Sequence, residues 1–362
     1  MAYPNYQIPT NLTFFPSYLQ YAYATGQIYD VYAQYRNENN DIVTTQAINE
    51  NAEGTQIIKK EDVYGLANLD PSKTLHFNND QNMTISFKTN SKWNFDFGMF
   101  LGHNFNGEAK YHPVWYNALN GGRDFIPSTQ IVNYNPENQQ ETGSYNGWSA
   151  FNMIDVPDNR EWIGIDNVSN STSYQKIELG SISFGKKWEA PHNIDLTGSI
   201  NYGYGNKQKK TISGKTISSM KYYKPQNWAA GLNAWELSEP NTYPNPRAGR
   251  NGLRRWEVKW SMLAENKVLP QNAMQNSLGW SLDENSEYST GASGDSLYDS
   301  ENGIDFVTSV LKLTMGSHLP VVIRISESNN PDQWAIVRIT KHKISQRNPK
   351  LIDVQLTLEE QV

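Results

Sequence analysis

A chain of 362 residues with a formal net charge of −6, no cysteine and 12% aromatic residues is long enough for more than one core. The missing cysteine excludes disulfides, thiolate metal sites and thiol nucleophiles, and the acidic balance argues against sequence-independent attraction to nucleic acid. A mean hydropathy of −0.69 excludes a membrane-embedded bundle, and 21 Tyr and 11 Trp amid abundant Asn, Ser, Thr and Gly favour strands and turns over long helices.

Residues 1–10 (MAYPNYQIPT) have no basic segment followed by an apolar run, so no signal peptide is expected, and no window of the chain suits a membrane span. Tyr3, Tyr6, Phe14, Phe15, Tyr18, Tyr21, Tyr23 and Tyr29 alternate with Pro4, Pro9 and Pro16 in a segment too broken by proline for a regular element. A strap is expected there, lying on its own chain or on a neighbour. Residues 36–71 are polar, acidic and poor in apolar positions, and read as loops. Together 1–71 form an aromatic extension followed by loops.

The clearest strand signal follows. Trp93, Phe95, Phe97, Met99 and Leu101 occupy every second position, with Asn94, Asp96, Gly98 and Phe100 between them. Ile85 and Phe87 before it, and 177–184 (IELGSISF) after it, suit the same sheet, while 106–174 reads as a long Gly-, Asn- and Pro-rich loop. Residues 72–184 are therefore expected to form a β-sandwich, jelly-roll-like domain.

Residues 185–362 read as a second β-rich domain. Ile194, Leu196, Ile200, Tyr202 and Tyr204 alternate with polar residues, and 208–219 is a plausible partner, which predicts a long basic hairpin over 194–219. Trp256, Val258, Trp260 and Met262 alternate again. One helix is expected over 304–315, between Gly303 and Gly316. Three strands around 321–325, 335–339 and 352–358 finish the chain. Mainly β, with one helix on the C-terminal sheet, is the fold class.

Charge is unevenly spread. Residues 184–260 carry thirteen Lys and Arg against five Asp and Glu, a local +8 that leaves −14 for the remainder. An acidic body with a basic arm suits a self-assembling subunit whose arm lies on its neighbour. Lys186, Lys187, Lys207, Lys209, Lys210, Lys215, Arg254 and Arg255 are the candidate interface residues.

The chemistry of catalysis leaves little trace. The six histidines (76, 103, 112, 192, 318, 342) are isolated, and none sits in a nucleophile-elbow context. His103, at the end of the 93–101 run, reads as a hydrogen-bonded structural residue. Asp295, Asp299, Glu301 and Asp305 do not follow an EF-hand spacing and read as a solvated acidic loop. No catalytic residue, cofactor or metal ligand is expected. Trp115, Trp148 and Trp162 are candidate glycan contacts if the 72–184 domain binds carbohydrate.

Several segments carry a resemblance: LGHNF (101–105), FGKKWEAPHNIDL (184–196), KTISGKTISSMKYYKPQNW (210–228), GLRRWEVKWSML (252–263), FVTSVLKLTMGSHLP (306–320) and NNPDQWAIVRI (329–339). In these, the chain resembles virion structural proteins of tailed bacteriophages over roughly half its length. The resemblance implies a non-catalytic tail or baseplate-hub subunit, a homo-oligomeric ring joining the tail tube to the host-recognition apparatus. Its partners would be itself and other virion proteins, with no nucleic acid and no membrane span. It would reside in the virion, assembled in the host cytoplasm. A capsid decoration or head-fibre protein, and a carbohydrate-binding host-recognition module, are the alternatives. The sandwich here precedes the belt-like part, the reverse of the usual hub order.

Overall fold

Strand Phe97–Leu101 has no wet face: all five residues are buried. In the computed structural model, residues 9–36, 42–44, 55–57, 59–71, 73–78, 84–89, 95–103, 112–116, 123–125, 128–132, 134–135, 140–141, 148–154, 162–166, 176–203, 206–220, 253–270, 305–326 and 334–361 are described. Phe97–Leu101 lies inside a four-stranded antiparallel sheet in the order Ser128–Val132, Trp148–Met153, Phe97–Leu101, Ser181–Gly185. Period two sends Phe97, Met99 and Leu101 to one side and Phe100 to the other. Each side meets a different core.

On the first side, Phe97, Met99, Leu101 and Ala150 pack against Phe15, Val322, Trp334 and Ile336. Phe15 is the pivot, its ring edge-on to Phe97 at 5.2 Å and tilted over Trp334 at 4.9 Å. These partners belong to a seven-stranded sheet in the order Trp188–Glu189, Thr13–Phe15, Val321–Arg324, Trp334–Asn348, Leu351–Glu360, Leu253–Ala264, Ser199–Gly203. The opposite face of that sheet buries Trp256, Val258, Trp260, Val354, Leu356 and Leu358 beneath Phe306 and Val310.

On the second side, Phe100, Phe151, Ile182 and Phe184 share a core with Val31, Ala33, Ile85, Phe87, Ile163 and Ile165. The latter six lie on a nine-stranded sheet, whose main path runs Lys176–Leu179, Leu75–Asn78, Asp30–Arg36, Thr84–Lys88, Trp162–Asp166, His112–Tyr116, Arg123–Phe125. Ile42–Thr44 pairs with Asp30–Arg36, and Thr55–Ile57 runs parallel to it. The chain is mainly β, and the four-stranded sheet is the middle of three stacked layers.

Several expectations are corrected. Residues 1–71 are not an extension with loops: Thr13–Phe15 is an internal strand of the C-terminal sheet, paired with both Val321–Arg324 and Trp188–Glu189. Tyr18–Thr25 is a helix despite the nearby prolines, because Pro16 falls outside it. Ser17 Oγ accepts the Gln20 N–H at 3.2 Å, and Gly26 closes the helix in the left-handed region at φ 70°. Within 36–71, Ile42–Thr44 and Thr55–Ile57 are strands and Lys60–Tyr64 is a short helix. The expected long loop over 106–174 supplies strands to three sheets, including Trp148–Met153 and Trp162–Asp166. The helix expected over 304–315 is a π-helix, Val307–Lys312, whose entry Asp305 caps by accepting the Thr308 N–H at 2.7 Å. Residues 281–303, read as a mobile acidic loop, lie outside the described residues.

Gly98 explains part of the middle layer's tightness. A Cβ there would stand 2.5 Å from the Phe151 ring and 2.9 Å from Phe184. Gly98→Ala therefore overpacks a site with no slack and is expected to destabilise the chain by about 1–3 kcal/mol, measured by denaturant unfolding. An unchanged midpoint would show that the two rings yield without cost.

Candidate assembly surface

The basic segment does not fold as one long hairpin. Ser199–Gly203 pairs with the Leu253–Ala264 strand, with Ser199 opposite Glu257 and Gly203 opposite Leu253. A turn interrupts the alternation before it: the Gly198 N–H donates to the Asp195 carbonyl at 3.2 Å, and the Asp195 carboxylate accepts from the Ser261 hydroxyl at 2.6 Å. Ile194 and Ile200 consequently pack on the core, while Leu196, read from its parity as buried, is fully exposed.

A separate hairpin follows. Asn206–Lys210 pairs with Thr216–Met220 in a two-stranded sheet of its own, with Lys209 opposite Ile217. Its tip is well specified. Gly214 takes φ +82°, its N–H donates to the Thr211 carbonyl at 2.9 Å, and Thr211 Oγ1 accepts the Lys215 N–H at 3.0 Å. Lys207, Lys209, Lys210 and Lys215 are all exposed on it, with no acidic residue between 206 and 220. Ile212 is fully exposed and Ile217 is 55% exposed.

The other four candidate interface residues do not join them. Lys186 and Lys187 are half-buried beside the middle sheet. The Lys187 backbone N–H donates to Asp96 at 2.8 Å, and its ammonium pairs with Glu189 at 3.0 Å. Arg255 faces Glu257 at 3.6 Å. Arg254 is corrected outright: its side chain is 2% exposed and makes a 2.8 Å ion pair with Glu360, itself 1% exposed. The Arg254 guanidinium also donates to the Trp334 carbonyl at 3.1 Å and stacks over Trp256 at 4.8 Å. The sequence held the signal, since Arg254 shares parity with Trp256 and Val258, and Glu360 shares parity with Leu356 and Leu358. A lone charge in each buried register marks a pair.

The three tryptophans occupy positions on three different strands. Trp148 is in the middle sheet, opposite Leu101. Trp115 and Trp162 lie on neighbouring strands of the nine-stranded sheet, but Trp162 is in register with Tyr116 and Trp115 with Ile163, so their positions have opposite parity. Trp162 is half-buried, with the Lys88 ammonium 5.8 Å from its ring centre.

His103 is fully buried at the end of the middle strand, with Nε2 2.9 Å from Ser149 Oγ. Burial pushes its pKa down to about 3, so the ring is neutral and serves as a hydrogen-bonding strut. Among the described residues no three of His, Asp and Glu converge as a metal site requires. Of the acidic residues considered for calcium, Asp305 is the helix cap, and Asp295, Asp299 and Glu301 lie outside the described residues.

Asp96 works at a seam. Its N–H donates to Gly185, its carbonyl accepts from Met153, and its carboxylate accepts from Lys187. Burial lifts its pKa from 3.8 to about 6, against the opposing pull of the Lys187 N–H. Because the folded pKa is the higher one, folding binds a proton between these values, and stability falls as pH rises from about 4 to 6. Asp96→Asn keeps an acceptor for Lys187 and is expected to raise the unfolding free energy at pH 8 by up to about 2–3 kcal/mol, with little gain at pH 4. An equal effect at both pH values would contradict this assignment. Arg254→Met removes the guanidinium that balances the buried Glu360 carboxylate and is expected to cost about 3–5 kcal/mol in thermal or denaturant unfolding, far more than Arg255→Met.

No family model, no characterised protein and no solved structure shows significant similarity to this chain.

Proposed function

We propose that this chain is a structural subunit of a tailed-bacteriophage virion, a tail or baseplate-hub protein. It assembles as a homo-oligomeric ring between the tail tube and the host-recognition apparatus. The observation that carries the reading is the 206–220 hairpin, a purely basic projection with two exposed isoleucines on a chain whose net charge is −6. A surface of that kind is completed by a neighbour. The segments that resemble virion proteins support the same reading. GLRRWEVKWSML and NNPDQWAIVRI supply strands of the seven-stranded sheet, FGKKW runs from the end of a middle-sheet strand to Trp188 of the seven-stranded sheet, FVTSVLK supplies the helix over that sheet, and KTISGKTISSM supplies the tip and second strand of the hairpin.

The mechanism is heterologous contact. One patch of a subunit meets a different patch of the next, and the rotation closes a ring. The hairpin lysines meet acidic surface on the adjacent subunit, an attraction that salt screens. Lys186, Lys187 and Arg255 are engaged within the chain and leave the hairpin as the reaching element.

Lys209→Glu with Lys210→Glu is expected to shift the oligomer toward monomer in size-exclusion chromatography with light scattering. The shift should be largest at low ionic strength, with the melting temperature unchanged because both positions are exposed. Assembly identical to the parent at every salt concentration would remove the arm from the mechanism. Antibody labelling of intact particles tests the location: label at the tail end is expected, and label over the head would instead make the chain a capsid decoration or head-fibre protein.

A further inference from the structure

The seven-stranded sheet ends at Ser199–Gly203, and this edge lacks the features that ordinarily keep sheet edges from pairing. Its sequence, SINYG, has no charge and no proline, and its register with Leu253–Ala264 has no bulge. The opposite edge is guarded. Trp188–Glu189 is only two residues long, bears a carboxylate and runs into Pro191. The outer side of Ser199–Gly203 meets no strand among the described residues.

The next strand in sequence is the one that local connectivity would place there. Only Tyr204 and Gly205 separate Gly203 from Asn206, and a two-residue connection is the commonest link between adjacent antiparallel strands. Yet Asn206–Lys210 leaves the sheet and pairs with Thr216–Met220 instead. Among the described residues the chain thus holds an open edge and a strand pair suited to it, held apart in one copy.

Both halves are also sticky in the same sense. Tyr202 on the edge is 39% exposed and Leu196 just before it is fully exposed, as are Ile212 and much of Ile217 on the hairpin. Charge decides between pairings. Two hairpins repel one another, four lysines against four, whereas the edge strand itself carries no charge and leaves the hairpin lysines to the acidic surface around it.

We propose that the Ser199–Gly203 edge receives the 206–220 hairpin of a second copy, an exchanged strand that continues the seven-stranded sheet across the subunit boundary. Main-chain hydrogen bonds supply the attachment, and the exposed isoleucines cover Tyr202 and Leu196. This deepens the assembly reading above and rests on it. Each copy both gives a hairpin and receives one, so the same contact links successive copies.

The absence of cysteine makes the test direct, because an introduced thiol is unique. Asn201→Cys and Gln208→Cys, both at exposed positions, are made on separate full-length chains, mixed at assembling concentration and treated with a short bismaleimide. The expected product is a dimer linked from 201 of one chain to 208 of the other by peptide mass spectrometry, in several-fold excess over 201–201 and 208–208 links. Predominant 201–201 links would replace the proposal with edge-to-edge pairing. A doubly substituted chain that links within itself at high dilution would show the hairpin closing on its own edge, and would also overturn it. If no 201–208 link forms but the light-scattering oligomer is still lost on charge reversal at Lys209 and Lys210, the arm reading stands and strand exchange falls. A parent chain monomeric at every concentration defeats both.

Discussion

The middle sheet is buried on both faces, and the rest of the molecule follows from that constraint. A strand with one wet face can be satisfied by one core. Phe97–Leu101 needs two, and the chain supplies them from distant parts of its sequence. Phe15 comes from near the N-terminus, and Val322, Trp334 and Ile336 come from near the C-terminus. The other core draws on Val31, Ile85 and Ile163. Removing either outer layer would strip water-excluding cover from the middle strand, at about 25 cal/mol for each Å² of apolar surface uncovered. The stacked layers therefore favour cooperative unfolding, and the N-terminal strand Thr13–Phe15, though short, ties the ends of the chain together.

Polar groups are placed to suit this packing. His103 at one end of the middle strand is held neutral and bonded to Ser149, while Asp96 at the other end joins three strands through its backbone and side chain. Their proton linkages oppose one another. Lowering pH below the ordinary histidine range penalises the buried ring, and raising pH through about 6 ionises the buried carboxyl. Arg254 and Glu360 do for the last strand what aromatic packing does for the first, fixing the end of Leu351–Glu360 against Leu253–Ala264.

Alternation in the sequence was a sound guide wherever one face of a strand is core and the other wet. Trp256–Val258–Trp260 and Ile352–Val354–Leu356–Leu358 face the core as their spacing implies. It misled in three physical situations. Gly98 and Phe100 occupy the positions read as wet, but a second core lies there, and nothing local announces it. The run from Ile194 to Tyr204 is interrupted by the turn that Asp195 and Ser261 stabilise, a contact between residues 66 apart in sequence. Short strands such as Ile42–Thr44 and Arg123–Phe125 exist because neighbouring strands pair with them, and their own sequences carry too few apolar positions to show a period. On the surface, the basic character of the hairpin was legible, whereas the burial of Arg254 depended on a partner 106 residues away.

What remains distinctive is the contrast between a three-layer interior, tightly closed, and a basic hairpin beside an unguarded sheet edge. Amide hydrogen exchange over 199–220 measures directly whether neighbours complete that surface. Comparing concentrated low-salt protein with the same protein diluted to monomer, assembly through this region predicts slowed exchange in Ser199–Gly203 and in both hairpin strands only in the concentrated sample. Equal, rapid exchange under both conditions would contradict it.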